Sequence, residues 1–134
     1  MPYFLSLLAA AYGHAGQPYA GLEVLAEAHA LVEQSGERWS QAELHRLQGE
    51  LLLRQAVPDA TQAAACFQQA LAIARRQQAK SWELRAATSL SRLWQQQGKR
   101  QEAHDLLAPV YYWFTEGFDT ADLKDAKVLL DELA

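Results

Sequence analysis

Apolar residues recur at helical spacing from one end of the chain to the other, and between them polar residues fill the opposite faces. Leu5, Leu8, Ala9 and Tyr12 share one face near the start. Near the end Leu123, Ala126, Leu129, Leu130 and Leu133 form one stripe, with Asp122, Lys124, Asp125, Asp131 and Glu132 expected to face away. Alternating β-branched runs joined by hairpin dipeptides are almost absent, and Ala, Leu, Gln and Glu dominate. The pattern is punctuated at Gly16-Gln17-Pro18, Ser35-Gly36, Val57-Pro58-Asp59, Lys80-Ser81, Gln97-Gly98 and Gly117-Phe118-Asp119, where Gly, Pro or an N-cap residue can end or start a helix. It predicts an all-α chain of seven helices, at about 3–15, 18–34, 39–55, 60–78, 82–97, 99–115 and 120–133.

The helices are similar in length and joined by short connections, which favours antiparallel neighbours. They also repeat. Tyr12, Gly16, Gly21 and Leu25 have counterparts 82 residues on in Trp94, Gly98, Ala103 and Leu107. Between them lies a second copy carrying His45, Gln48, Gly49 and Leu52, then Ala63, Phe67 and Ala70, with two extra residues near Pro58. A turn tolerates such an insertion at little cost. In the first copy Leu5, Leu8, Ala9, Tyr12, Gly21, Leu25 and Ala28 occupy positions 4, 7, 8, 11, 20, 24 and 27 counted from Pro2. In the third copy Ala87, Leu90, Ser91, Trp94, Ala103, Leu107 and Val110 follow the same register.

That order of large, small and aromatic residues resembles the tetratricopeptide repeat. Small residues at positions 8 and 20 let two helices approach, and large ones at 7, 11 and 24 fill the space beside them. The copies recur every 40 to 42 residues (Tyr12 to Leu52, Leu52 to Trp94), longer than the usual repeat of about 34 by nearly two helical turns. The expected fold is therefore an all-α, right-handed α-solenoid of three tetratricopeptide-like hairpins, at about 2–36, 39–79 and 82–115, with a C-terminal capping helix at 120–133. Residues 1–134 form a single repeat domain in this reading. The first helix offers Tyr3, Phe4 and Leu7 without a similar cover, so the chain is expected to be a fragment of a longer protein or to form a homodimer through that face.

The stretches PYFLSLLAAAYGHAGQ, ELHRLQGELLL, CFQQALAIARRQQAKSWELRAATSLSRLWQQQGKRQEAHDLLAPVY and WFTEGFDTADLKDAKVLLDEL resemble the C-terminal helical-repeat regions of large bacterial signalling proteins. Those proteins carry an adenylate/guanylate cyclase domain and a P-loop ATPase module upstream, and their repeat regions are distantly similar to those of MalT-like and LuxR-type regulators. None of the family's active-site residues can be placed on this chain. What the resemblance implies is a non-enzymatic interaction or regulatory module.

In the tetratricopeptide repeat, positions 2, 5, 9, 12 and 13 of each first helix line a concave face that holds extended peptides or a partner helix. The resemblance carries these positions to Glu43, Arg46, Glu50, Leu53 and Arg54 in the second copy, and to Arg85, Thr88, Arg92, Gln95 and Gln96 in the third. Four arginines would line one groove, a donor geometry suited to carboxylates on a bound segment. The alternative is that Arg46, Glu50 and Arg54 merely pair along their own helix. Reversing the charge of Arg46 and Arg92 is expected to abolish partner capture without changing helicity or melting temperature.

Composition narrows the rest. Twelve basic and 16 acidic residues give a net charge of −4, with neither sign gathered into a long block, which argues against nucleic acid as a partner. No apolar run reaches the roughly 18 residues of a membrane helix. FLSLLAAAY resembles the apolar core of a signal peptide, but the first basic residue is Arg38, so the expected location is the cytoplasm. The single Cys66 fits a reducing compartment and should act as a small apolar filler.

Gly98-Lys99 lacks the earlier glycine and following Ser or Thr of a phosphate loop. His14, His29, His45 and His104 are never three or four residues from one another or from Cys66, so no cofactor or metal is expected. Trp39, Trp82 and Trp94 are read as packing residues. In APVYYWF, residues 108–114, Val110, Tyr111 and Phe114 should pack on the last helix, with Tyr112 or Trp113 partly exposed. The expected partner is a protein or peptide, including other domains of the same polypeptide. A small-ligand sensor and a spacer positioning upstream domains are the competing readings.

Overall fold

The computed structural model describes residues 2–35 and 41–134, with side chains at 7–34 and 41–134. The described residues form seven α-helices and no strand: α1 (Pro2–His14), α2 (Pro18–Ser35), α3 (Gln41–Leu53), α4 (Ala60–Arg76), α5 (Lys80–Gln96), α6 (Arg100–Tyr112) and α7 (Ala121–Leu133). The break expected at Ser35-Gly36 and the helical start expected at residues 39–40 with Trp39 lie outside the described residues.

Helix α4 ends at Arg76, two residues before the expected 78, and three further boundaries that differ from the sequence pattern by two or more residues have a local cause. Helix α3 stops at Leu53 because the Arg54 N–H turns tightly onto the Leu51 carbonyl at 3.1 Å, and Val57, placed before Pro58, is disfavoured in helical geometry. Helix α5 begins at Lys80 rather than 82, since the cap is Ala79, whose carbonyl accepts from the Glu83 N–H at 2.9 Å. Helix α6 contains Pro109, which supplies no backbone donor, and closes at Tyr112 with Phe114 N–H on the Tyr111 carbonyl.

Helices pack as hairpins, α1 on α2, α3 on α4 and α5 on α6. Each later hairpin is entered through its first helix: α3 touches α2 and α1, α5 touches α4 and α3, and α7 touches α6 and α5. Among the described residues, the backbones of α2, α4 and α6 do not approach one another closely, although side chains of α4 and α6 share one apolar core. The first helices therefore stand side by side in a row closed by α7, while the second helices lie behind them.

The repeat is visible in the packing. Ala9, Leu25 and Ala28 are buried in the first hairpin, Ala63, Phe67 and Ala70 in the second, and Ala87, Leu90, Ser91, Ala103, Leu107 and Val110 in the third. At the close approach, a Cβ added to Gly21 would lie 3.0 Å from the Ala9 carbonyl oxygen, and one added to Gly49 would lie 2.5 Å from the Phe67 ring. In the third hairpin the Ser91 hydroxyl donates to the Ala103 carbonyl at 3.1 Å. Each full burial of a side chain such as Leu25, Phe67 or Leu107 contributes on the order of 2–3 kcal/mol.

The turns agree as closely. Gln17 N–H donates to the Tyr12 carbonyl and Lys99 N–H to the Trp94 carbonyl, both at 2.8 Å, with Gly16 and Gly98 left-handed at φ 77° and 78°. The middle turn carries the insertion: there the Asp59 N–H reaches back seven residues to the Leu52 carbonyl at 3.3 Å, and the Asp59 side chain caps α4 by accepting from the Gln62 N–H.

Helix α7 covers the third hairpin with Leu123, Ala126, Leu129, Leu130 and Leu133, all buried. Arg100 holds its far end by donating to the carbonyls of Glu132 and Leu133. At the other end of the row Leu7 is 54% exposed and Leu8 is exposed as well, while the side chains of Tyr3 and Phe4 lie outside the described residues.

Candidate functional site

The row of first helices carries two parallel stripes of polar residues, buried at Glu43 and Thr88 and open to solvent at Arg54 and Arg92. Glu43, Arg46 and Glu50 on α3 and Arg54 just past its end follow one another at intervals of three, four and four, and Arg85, Thr88, Arg92 and Gln96 do so on α5. This spacing keeps each set on one helix face, opposite the face packed on α4 or α6.

All eight residues line adjoining cavities along the row. The largest, of about 350 Å³, takes in Glu43, Arg46, Arg85, Thr88 and Arg92 together with Leu7, Ala10, Leu47, Ser89, Asp122 and Asp125. A second, of about 200 Å³, is lined by Ala10, Gly13, His14, Arg46, Leu47, Glu50, Leu51, Arg54 and Arg92. A third, of about 190 Å³, adds Leu53, Leu93 and Gln96 to Glu50, Ser89, Arg54 and Arg92. Gln95 departs from the set, since its amide donates instead to Glu132 on α7. The Thr88 hydroxyl is occupied within its own helix, on the Leu84 carbonyl at 2.8 Å.

The four arginines are not equivalent. Glu43, itself buried, accepts both Nε and Nη2 of Arg46 as a fork, and also Nη1 of Arg85 at 3.2 Å. Arg85 in turn donates its Nε to Asp122 at 2.8 Å. Ser89 and Glu50 lie at the outer reach of Arg46, at 3.5 and 4.0 Å. Burial works to lower the Arg46 guanidinium pKa, but the hydrogen bond and charge of Glu43, with Glu50, outweigh it and hold the pKa above its ordinary value. The same balance, with Asp122 and Glu43 as the opposing groups, raises Arg85. Among the described residues, Arg54 and Arg92 have no carboxylate within ion-pair distance.

Two expectations change accordingly. Pairing along α3 holds for Arg46, which forks onto Glu43 and reaches toward Glu50, but not for Arg54, and it is not the whole network, because Arg85 ties Glu43 on α3 to Asp122 on α7. Asp122 and Asp125 do not simply face away, since both line the groove and Asp122 binds Arg85. Helix α7 stands where a further first helix would stand, and its turned-out acids extend the groove. Sequence position offered a signal for that, because Asp122 adjoins the buried Leu123 and Asp125 the buried Ala126.

Outside the groove, His29 on α2 and His45 on α3 meet with ring centroids 4.7 Å apart. Burial lowers both pKa values, His45 to about 4 with His29 adding to the effect, and His29 is partly restored by Gln48 and Glu33. The two imidazoles are therefore neutral at pH 7. Three or more metal-ligating side chains do not gather anywhere among the described residues. Cys66 is buried, and burial raises its thiol pKa, the setting of an inert packing residue. Trp82 packs against Ala42, Ile73 and Ala74. Val110 and Tyr111 are buried and Phe114 packs on the same core, while Tyr112 and Trp113 are both exposed, with the Lys80 ammonium 5.1 Å from the Trp113 ring centre.

Among the described residues no helix is long and apolar enough to cross a membrane. No protein-family model matches the chain, and neither a curated protein nor a solved structure matches it.

Proposed function

We propose that the chain is a non-catalytic, tetratricopeptide-like interaction module that takes a segment of a partner protein, or of another domain of its own polypeptide, along the row of first helices. The observation that carries this reading is the convergence of Glu43, Arg46, Glu50, Arg54, Arg85, Thr88, Arg92 and Gln96 on one groove, with two arginines left unpaired by the fold. The resemblance to the repeat regions of bacterial cyclase and ATPase signalling proteins supports a cytoplasmic, regulatory setting for it.

The network changes which residues should be tested. Reversing Arg46 would leave the buried Glu43 beside a new negative charge and disturb the fold, so the informative pair is Arg54 and Arg92. Selection of random linear peptides on the immobilised protein should enrich sequences bearing Asp or Glu. Arg54→Glu with Arg92→Glu should abolish their capture while helicity and melting temperature stay as in the parent. Peptides that bind both proteins equally would place the site elsewhere and sink the groove reading.

A further inference from the structure

The groove is unevenly charged. Around Arg85 the carboxylates of Glu43, Asp122 and Asp125 meet the cations of Arg46, Arg85 and Arg92. Toward the end of α1, the approximately 200 Å³ cavity gathers Arg46, Arg54 and Arg92 around the single carboxylate of Glu50, which reaches Arg46 only at 4.0 Å. We propose that Arg54 and Arg92 form a site for one oxyanion, a carboxylate or a phosphate group borne by the ligand.

Three features support it. The two arginines come from different hairpins yet line the same two adjoining cavities, so an anion between them would be met from two sides. Leu47, Leu51 and Leu93 form apolar walls beside them, while both guanidinium-bearing side chains stay exposed and open to a ligand from solvent. Gly13 makes the space: a Cβ there would stand 2.7 Å from the Leu51 side chain and 3.3 Å from Arg54 Nη1, so the bare position lets Leu51 and Arg54 lie close against the end of α1. An arginine laid along a surface loses less freedom on binding than one extended into water. This site deepens the groove reading and rests on it for the identity of the ligand's remainder, but its chemistry can be tested with the anion alone.

The experiment follows the Nε–Hε resonances of the arginines by NMR while the whole chain is titrated with inorganic phosphate and, separately, with acetate. Saturable shifts at Arg54 and Arg92, with Arg46 and Arg85 nearly still, are the expected result in at least one arm. The tighter arm tells phosphate from carboxylate. Arg92→Gln should weaken binding about tenfold or more, as expected when a charge-assisted hydrogen bond is lost. Glu50→Gln should tighten it several-fold by removing the opposing charge. Linear shifts of similar size at all four arginines in both arms, or variants that titrate like the parent, would overturn the site. Saturable phosphate or acetate binding alongside failed peptide selection would overturn the peptide reading and leave the oxyanion site standing.

Discussion

The two junctions between hairpins are built from different materials. The first, between α1–α2 and α3, is apolar and neutral: Leu51 covers Gly13 and Gly21, Leu44 and Leu47 join the cluster of Ala9, Leu25, Ala28 and Val32, and two neutral imidazoles meet beside it. The second, between α3–α4 and α5, adds charge to its apolar core. There two buried glutamates each hold two cations, Glu43 taking Arg46 and Arg85 while Glu83 takes Arg75 and Lys80. A junction made of close contact depends on the size of its residues. One made of ion pairs depends on completeness, because a missing partner strands the charges that remain.

Leu51→Ala should therefore be the most damaging change at either junction. The side chain is 2% exposed and no neighbour can fill its place from the glycine side, so the expected loss is about 2–5 kcal/mol by urea denaturation. Glu43→Ala should cost less, about 1–3 kcal/mol, since Arg46 and Arg85 retain some access to water and Arg85 keeps Asp122. Hydrogen exchange should place that loss in α3 and α5 and leave α1 and α2 protected. A larger effect from Glu43 than from Leu51 would reverse the comparison.

How much of this was legible in the sequence follows the same division. The apolar positions were readable because burial imposes a helical period: Leu25, Phe67 and Leu107 stand at one repeat position and all are buried. The turn insertion was readable too, and the bond from Asp59 to Leu52 shows where its two residues went. Register brought the chosen positions of α3 and α5 along one run of cavities, Gln95 excepted. Charge state did not follow from register, because whether an arginine is free depends on carboxylates far away in the chain, Asp122 for Arg85 among them. Gly13 gave no sign of its role, which lies in a contact with Leu51 and Arg54 some forty residues on. The histidine pair was equally hidden, since no local spacing links His29 to His45.

That pair offers the finest test of the contrast. An imidazole whose folded pKa is depressed binds protons more readily in the unfolded chain, so its stabilising effect is present above the unfolded value of 6.5 and lost as the pH falls toward the folded value. For His45 that window runs from 6.5 down to about 4, and the lowered His29 facing it acts in the same direction. Part of each ring remains accessible, so the discounted effect is about 1 kcal/mol. Glu33, near His29, opposes the loss, and Gln48 can share a hydrogen bond with it. Between pH 6.5 and 5, above the range in which ordinary carboxylates protonate, the parent should lose stability and His45→Gln should lose less of it. Hydrogen exchange over that interval should rise first at the contact of α2 with α3. Equal slopes for parent and variant would show that the imidazoles are not what makes the first junction sensitive to acid.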